Sequence, residues 1–307
     1  MKVLSVNISK KKGTSKKSVS KIDIDFNGIS GDAHTGKGNR QVSLLAIESI
    51  EKFAKQCGKK FNHGDFAENI TTQGIELHKC KILDRFQIGE VELELTQIGK
   101  ECHGTNCAIF KEVGNCVMPK EGIFCRVIKS GTIKANDEII YVPKVINISI
   151  ITLSDRASSG EYEDRSGPKI KEMLESYFLQ KNQKVKIENT VIPDDAKTLH
   201  ELIIQNKENK IDFIFTTGGT GIGERDITIE TVTPLLEKQI PGIMEMIRVK
   251  YGMEKPNALL SRGVSGVIGK SIIFTLPGSV KAATEYMTEI IKTLEHSLFM
   301  LHGIDKH

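Results

Sequence analysis

The chain of 307 residues contains no tryptophan, and aromatic residues make up only 6% of it. No apolar run approaches the ~18–20 residues that span a bilayer, which excludes a helical membrane protein. The short apolar stretch of the N-terminus, MKVLSVNISKKKG, leads into a lysine cluster, which is not the layout of a secretory signal. A cytoplasmic location is therefore expected. No aromatic residues interleave with the basic run, and no nucleic-acid-binding motif occurs, so DNA and RNA are not expected partners. Cysteine is absent after residue 125: Cys57, Cys80, Cys102, Cys107, Cys116 and Cys125 all lie in the first half. In a cytosolic setting these are not expected to form structural disulfides.

Charge divides along the same line. Residues 1–145 carry 23 Lys+Arg against 17 Asp+Glu, whereas residues 146–307 carry 20 against 22, in keeping with the overall net charge of +4. Most of the basic excess sits in KKKGTSKK, residues 10–17. It reads first as a solvated lysine-rich loop, and second as an anion-steering patch.

With 39% hydrophobic residues and this length, the chain has material for two packed domains. Short β-prone runs at 3–8, 22–26, 81–88, 91–98, 122–129 and 138–142 are separated by Gly and Asn turns, while 42–57 has helical spacing. This predicts a mainly β, barrel-like domain over 1–143. The rhythm changes near Pro143. Apolar runs at 145–153, 185–191, 211–215 and 271–276 alternate with helical patterns at 168–178, 196–206, 231–237, 241–251 and 280–302. Such alternation predicts, over 146–307, an α/β three-layer sandwich around a mostly parallel sheet.

In open parallel sheets, ligands bind beyond the C-terminal ends of the strands. Three expected strand ends carry polar residues: SDRASSGEYED (154–164), IPDD (192–195) and TTGGTGIGERD (216–226). The third is the most informative. Backbone N–H groups in a glycine-rich turn cradle phosphate oxygens, and glycine lets the backbone approach without a Cβ in the way. Neither common phosphate loop fits. G-x-G-x-x-G fails at Glu224, and in GVSGVIGKS (263–271) Val264 stands where the other loop needs glycine. Asp226 beside a phosphate site calls for a cation, and Mg²⁺ is usually held by one or two carboxylates plus substrate phosphates. Asp194 could complete that pair, although it reads as well as the N-cap of the following helix. Asp155 likewise reads as a turn or cap residue.

Taken together, SDRASSG (154–160), VIPDD (191–195), TTGGTGIGERD, LLSRGVSG (259–266) and LPGSVKAA (276–283) resemble the molybdopterin adenylyltransferase family of molybdenum-cofactor biosynthesis. Val280 departs from the proline that often stands there in that family. The resemblance implies transfer of AMP from ATP to the phosphate of molybdopterin, with release of pyrophosphate. It implies catalytic, Mg²⁺-binding roles for Asp194 and Asp226. Substrate and nucleotide binding would fall to Asp155, Thr217, Gly218, Gly219, Thr220, Gly221, Ser261, Pro277, Gly278 and Ser279. It also implies a homotrimer and other proteins of the cofactor pathway as partners. A carrier that binds molybdopterin without chemistry is the alternative.

The first half, through GISGDAHTGKGNRQVSLL (28–45), GDFAENITTQGI (64–75), ELTQIGKECH (94–103) and EGIFCRVIKSGTIKANDEI (121–139), resembles a MOSC domain, a module that handles sulfur or the molybdenum cofactor. Its hallmark cysteine corresponds to Cys102, preceded by Lys100 where arginine is frequent. Nearby positive charge lowers a thiol pKa and makes a reactive sulfur. A structural metal site of Cys102, Cys107, Cys116 and Cys125 is the rival reading, but it lacks a tight pair. GDAH (31–34) reads as a turn.

Overall fold

A computed structural model describes residues 1–100 and 116–304. It divides into two compact units, Met1–Lys144 and Val145–His307.

The first unit is mainly β. Its strands are β1 (Lys2–Ile8), β2 (Lys17–Val19), β3 (Lys21–Asp25), β4 (Gly28–Ile29), β5 (Val42–Ala46), β6 (Ile70–Gln73), β7 (Arg85–Ile88), β8 (Val91–Ile98), β9 (Ile123–Lys129), β10 (Gly131–Lys134) and β11 (Ile139–Val142). Eight of them form one sheet in the order β11-β7-β8-β9-β5-β6-β1-β2, and β10-β3-β4 form a second. Among the described residues of this unit, only β5 and β6 pair in parallel, and such a pair needs a crossover, which α1 (Ile47–Cys57) supplies. Near the outer end of the large sheet, Val3 N–H donates to Asp137 O (2.9 Å), Asn136 N–H to Val3 O (2.8 Å) and Ile139 N–H to Met1 O (3.0 Å). These bonds, with an isolated bridge between Lys2 and Glu138, join the start of β1 to the segment entering β11; among the described residues no strand ladder closes the sheet into the expected barrel.

The helix expected over 42–57 is in fact strand β5 followed by α1. All five residues of β5 are buried, between β9 and β6. A strand buried on both faces loses its alternation, so spacing could not tell it from a helix. The helix then ends at Gly58, whose φ of +67° closes it in the left-handed conformation.

The lysine cluster is not uniformly solvated. Lys16 is buried and its Nζ pairs with Asp32, also buried. Asp32 further accepts the N–H groups of Ser9 (3.0 Å) and His34 (3.0 Å) and lies 3.3 Å from His34 Nδ1. GDAH is therefore a turn organised by one carboxylate, as its glycine and polar composition suggest.

The second unit is α/β. Its elements are β12 (Ile146–Leu153), α2 (Asp155–Ser158), α3 (Ser166–Gln180), β13 (Val185–Ile192), α4 (Ala196–Glu208), β14 (Phe213–Thr217), α5 (Thr228–Val232), β15 (Lys238–Gln239), α6 (Pro241–Gly252), β16 (Ser265–Ile268), β17 (Ser271–Leu276), α7 (Val280–Ile290) and α8 (Leu294–Leu301). The sheet runs β13-β12-β14-β17-β16-β15, with the first four strands parallel and the last two antiparallel. On one face Ile151, Leu153, Ile214 and Ile273 pack with Leu199 and Ile203 of α4 and Val232 of α5. Strand alternation puts Ile150, Phe213, Phe215 and Phe274 on the other. There Phe215 and Phe274 stack with centroids 5.4 Å apart.

Two expected helices differ. Residues 231–237 hold only the end of α5, a 3-10 turn at Thr233–Leu235 that opens around Pro234, and the approach to β15. The helix over 280–302 is interrupted by a 3-10 turn at Ile291–Thr293. The segment 263–271, which failed as a phosphate loop, contains β16 and the tight turn into β17, with Gly269 at φ +60°. Among the described residues no helix is long and apolar enough to cross a membrane.

Candidate functional site

The C-terminal ends of β12, β13, β14 and β17 open into one cleft of about 1330 Å³. Asp155, Asp194, Gly218, Gly219, Thr220, Gly221, Asp226, Ser261, Pro277, Gly278 and Ser279 all line it. Parallel register explains the gathering. Leu153 stands opposite Ile192, and Thr217 opposite Leu276, so the polar segments after each strand emerge at one level.

The glycine turn is shaped by close backbone contacts. Gly218 has φ +109°, and a Cβ there would lie 2.4 Å from Leu153 O. Gly219 has φ +62°, and its Cβ would meet Thr228 Oγ1 at 2.5 Å. Both positions therefore require glycine. Gly218 N–H donates to Leu276 O at 3.0 Å; Thr228 returns the turn through its hydroxyl to Gly218 O (2.8 Å) and its N–H to Gly219 O (3.1 Å). A Cβ on Gly221 would stand 2.8 Å from Asp226 Oδ2, which accepts Gly223 N–H at 2.7 Å.

Asp195, not Asp194, caps α4: its Oδ1 accepts the N–H of Thr198 at 2.8 Å. Asp194 is thereby free of the capping role that its position allowed. Its Oδ2 instead accepts Asp155 N–H (3.2 Å), while Asp155 Oδ1 accepts Asp194 N–H (2.9 Å). Ser154 caps the short α2 through Ala157 N–H, which leaves Asp155 at the cleft. Burial, together with the charges of Asp155 and Asp226, pushes the Asp194 carboxyl above its usual range, against the pull of the Asp155 N–H and of Arg225. Arg225 approaches Asp155 Oδ2 at 3.8 Å.

Other predicted residues have structural duties as well. Thr217 is fully buried, and its hydroxyl donates to Pro277 O at 2.9 Å; it borders a smaller adjoining cavity rather than the cleft itself. Ser279 caps α7 through Ala282 N–H. Ser261 Oγ accepts the Tyr286 hydroxyl at 2.8 Å.

Arg262 is a residue that motif reading passed over, although it lies within LLSRGVSG. Its Nε donates to Gly221 O (2.6 Å), its Nη2 to Asp226 O (3.2 Å), and Glu230 receives the guanidinium on the far side. Its N–H also donates to Thr220 O at 3.1 Å. One side chain and its own backbone thus hold the glycine turn to the segment bearing Asp226.

In the first unit, Cys102, His103 and Cys107 lie outside the described residues. Lys100 Nζ and Arg40 Cζ each lie 6.0 Å from the Phe124 ring centroid. Cys125 is fully buried in β9, and burial pushes its thiol well up; the same cause raises Cys80 to about 11. Among the described residues no group of three or more His, Cys, Asp or Glu side chains could hold a metal ion.

A family model described as a probable molybdopterin binding domain matches residues 149–296, and one described as a MOSC domain matches residues 31–140. The molybdopterin adenylyltransferase of Helicobacter pylori is 33% identical over 161 residues, which cover 52% of this chain and 90% of that protein. Molybdenum cofactor biosynthesis protein B of Staphylococcus carnosus is 38% identical over 171 residues, or 54% of this chain and 95% of that protein. Gephyrin of Dictyostelium discoideum is 33% identical over 165 residues, but the chain spans only 23% of its length. Among solved structures, the tungsten cofactor synthesizing protein MoaB from Pyrococcus furiosus is 34% identical, covers 52% of this chain and 99% of its own, and has a TM-score of 0.46.

The α/β domain with its mostly parallel sheet and strand-end cleft coincides with the match to a probable molybdopterin binding domain. The chain belongs to that family of molybdenum-cofactor biosynthesis proteins through its second half, and carries a MOSC domain in its first.

Proposed function

We propose that the second domain, residues 146–307, transfers AMP from ATP to the terminal phosphate of molybdopterin. A phosphate oxygen of the pterin bonds to the α-phosphorus, the bond to the bridging oxygen breaks, and pyrophosphate leaves with the electron pair. The observation that carries this reading is a glycine turn with no room for Cβ atoms, sharing its cleft with Asp194 and Asp226. No protein nucleophile is needed, so catalysis is mostly positioning and charge stabilisation. The Gly218–Gly221 backbone and Thr220 hold phosphate oxygens. Arg262 keeps that turn in place, and Asp155 locks Asp194 against the end of β12. Ser261, Pro277, Gly278 and Ser279 form the wall that takes the pterin and nucleotide.

Asp194 and Asp226 fit a Mg²⁺ ion. Burial, and after it the negative charges of Asp155 and Asp226, hold Asp194 above its usual range; a cation relieves the charge part, and two carboxylates plus phosphates are a usual set of magnesium ligands. When bound, the ion neutralises charge on the phosphates. The test is product analysis with molybdopterin, ATP and Mg²⁺: adenylyl-molybdopterin and pyrophosphate are expected in equal amounts. Molybdopterin bound without ATP consumption would instead assign a carrier role.

The MOSC half, residues 1–143, would handle sulfur or the cofactor through Cys102. Persulfide labelling that is unchanged in Cys102→Ser would remove that role. Met246 and Val249 of α6, with Met253, Leu259 and Leu260 beyond it, are exposed apolar side chains suited to a homotrimer contact. Light scattering of the purified protein tests it.

A further inference from the structure

Beside the main cleft lies a second cavity of about 380 Å³, which shares Ser154, Arg156, Gly278 and Ser279 with it. One wall is built from two arginines gathered on one tyrosine. Both guanidiniums lie over the Tyr162 ring, with Arg156 Cζ 5.5 Å and Arg165 Cζ 5.6 Å from its centroid. Among the described residues neither arginine side chain has an acidic partner. The cavity's one carboxylate is already engaged: Asp164 Oδ1 accepts the N–H groups of Ser166 (3.0 Å) and Gly167 (3.1 Å), and its Oδ2 accepts the Thr152 hydroxyl (2.8 Å). The cavity is therefore cationic, next to a cleft that is rich in carboxylates.

A guanidinium lying on an aromatic face keeps its in-plane N–H donors free, and the ring restricts its motion. Two such forks, unpaired and held by one ring, match a ligand with several anionic oxygens. We propose that this cavity is the pyrophosphate subsite, taking the β- and γ-phosphates of ATP and holding pyrophosphate as it leaves. The proposal rests on the adenylyl-transfer reading and deepens it. As the bond from the α-phosphorus to the bridging oxygen breaks, its electron pair departs on pyrophosphate, so negative charge grows there. Donors at that place stabilise the transition state more than the bound substrate. The one pterin phosphate group carries less charge and needs fewer donors, which is why the arginine pair is assigned to pyrophosphate.

The test is calorimetric titration of the full chain, in Mg²⁺, with inorganic pyrophosphate and separately with AMP. Arg165 borders the small cavity alone, so Arg165→Ala is the informative variant. It should weaken pyrophosphate binding by about tenfold or more, the worth of one charge-assisted hydrogen bond, while AMP binding stays within about twofold. Tyr162→Leu, which removes the ring both guanidiniums lie over, should shift pyrophosphate affinity in the same direction. An unchanged melting temperature in both variants ties the loss to the site. Equal pyrophosphate affinity in wild type and Arg165→Ala overturns the subsite, and so does an equal loss of AMP and pyrophosphate. Product formation is read separately. If the wild type makes no adenylyl-molybdopterin, the adenylyl-transfer reading fails. If it makes the product while Arg165→Ala binds pyrophosphate normally, only the subsite fails.

Discussion

Asp155 and Asp194 hold one another by reciprocal hydrogen bonds, each carboxylate accepting the backbone N–H of the other, at 3.2 and 2.9 Å. The pair bridges the ends of two adjacent parallel strands, β12 and β13. It fixes the Asp194 carboxylate at the cleft at the cost of placing two negative charges close together.

Asp194→Asn should therefore separate stability from activity. The folded-state pKa of Asp194 is raised, so the native protein holds a proton more tightly than the unfolded chain, and ionisation opposes folding. The penalty is absent below the ordinary carboxylate range and grows as pH rises through the raised value. At neutral pH the variant should melt higher than wild type, and the difference should vanish in acid. Turnover should fall about 10²–10³-fold, as for loss of a group that stabilises transition-state charge. Thermal melts from pH 3 to 8 beside product assays check both; a variant that melts lower at pH 7 would refute the charge argument.

Arg262→Lys should retain the charge and lose the geometry. A guanidinium contacts Gly221 O, Asp226 O and Glu230 together, which an ammonium cannot reproduce. The expected outcome is a lower unfolding midpoint of the second domain and a raised KM for ATP. Urea unfolding and initial rates at varied ATP measure this. Because Arg262 acts through the turn, raising ATP should recover much of the rate.

Asp32→Ala leaves Lys16 buried without its carboxylate. Breaking a buried pair from one side costs about 3–5 kcal/mol, so the first domain should be strongly destabilised. Bonds to His34, Lys16 and Ser9 hold the Asp32 pKa far below normal despite its burial. Its contribution is thus complete above the unfolded carboxylate pKa and is lost as pH falls toward the folded value. Wild type should lose stability in acid faster than Asp32→Asn, as followed by denaturant melts across pH 3–7.

Native-state alkylation should spare Cys80 and Cys125. Both thiols are pushed up by burial, so thiolate is scarce at pH 8, and neither sulfur is open to reagent. Mass mapping after brief iodoacetamide treatment should find them unmodified until the protein is unfolded. Early labelling of Cys125 would contradict its place in the core.

Much of this was legible because the signal is local. The alternation of apolar strands with helices placed the parallel sheet, and the density of glycine in TTGGTG marked the turn. What escaped has a common cause. β5 read as helix because burial on both faces erased its period. β15 and β16 are short and antiparallel at the sheet edge, with little sequence to announce them. Asp194 reads equally as a helix cap or a site carboxylate from its position alone; the backbone gives the cap to Asp195. Arg262 and Tyr162 act through partners from 32 to 41 residues and 3 to 6 residues away, and no spacing rule picks either out.

The sequence by itself determined the family, the two-domain plan and the set of strand-end segments that meet, because each is written in short runs of neighbouring residues. Only the tertiary structure decided which carboxylate is free, which arginine clamps the turn and which arginines stay unpaired. Those outcomes depend on competition for the same hydrogen bonds among groups brought together by the sheet, and the chain order does not record who wins.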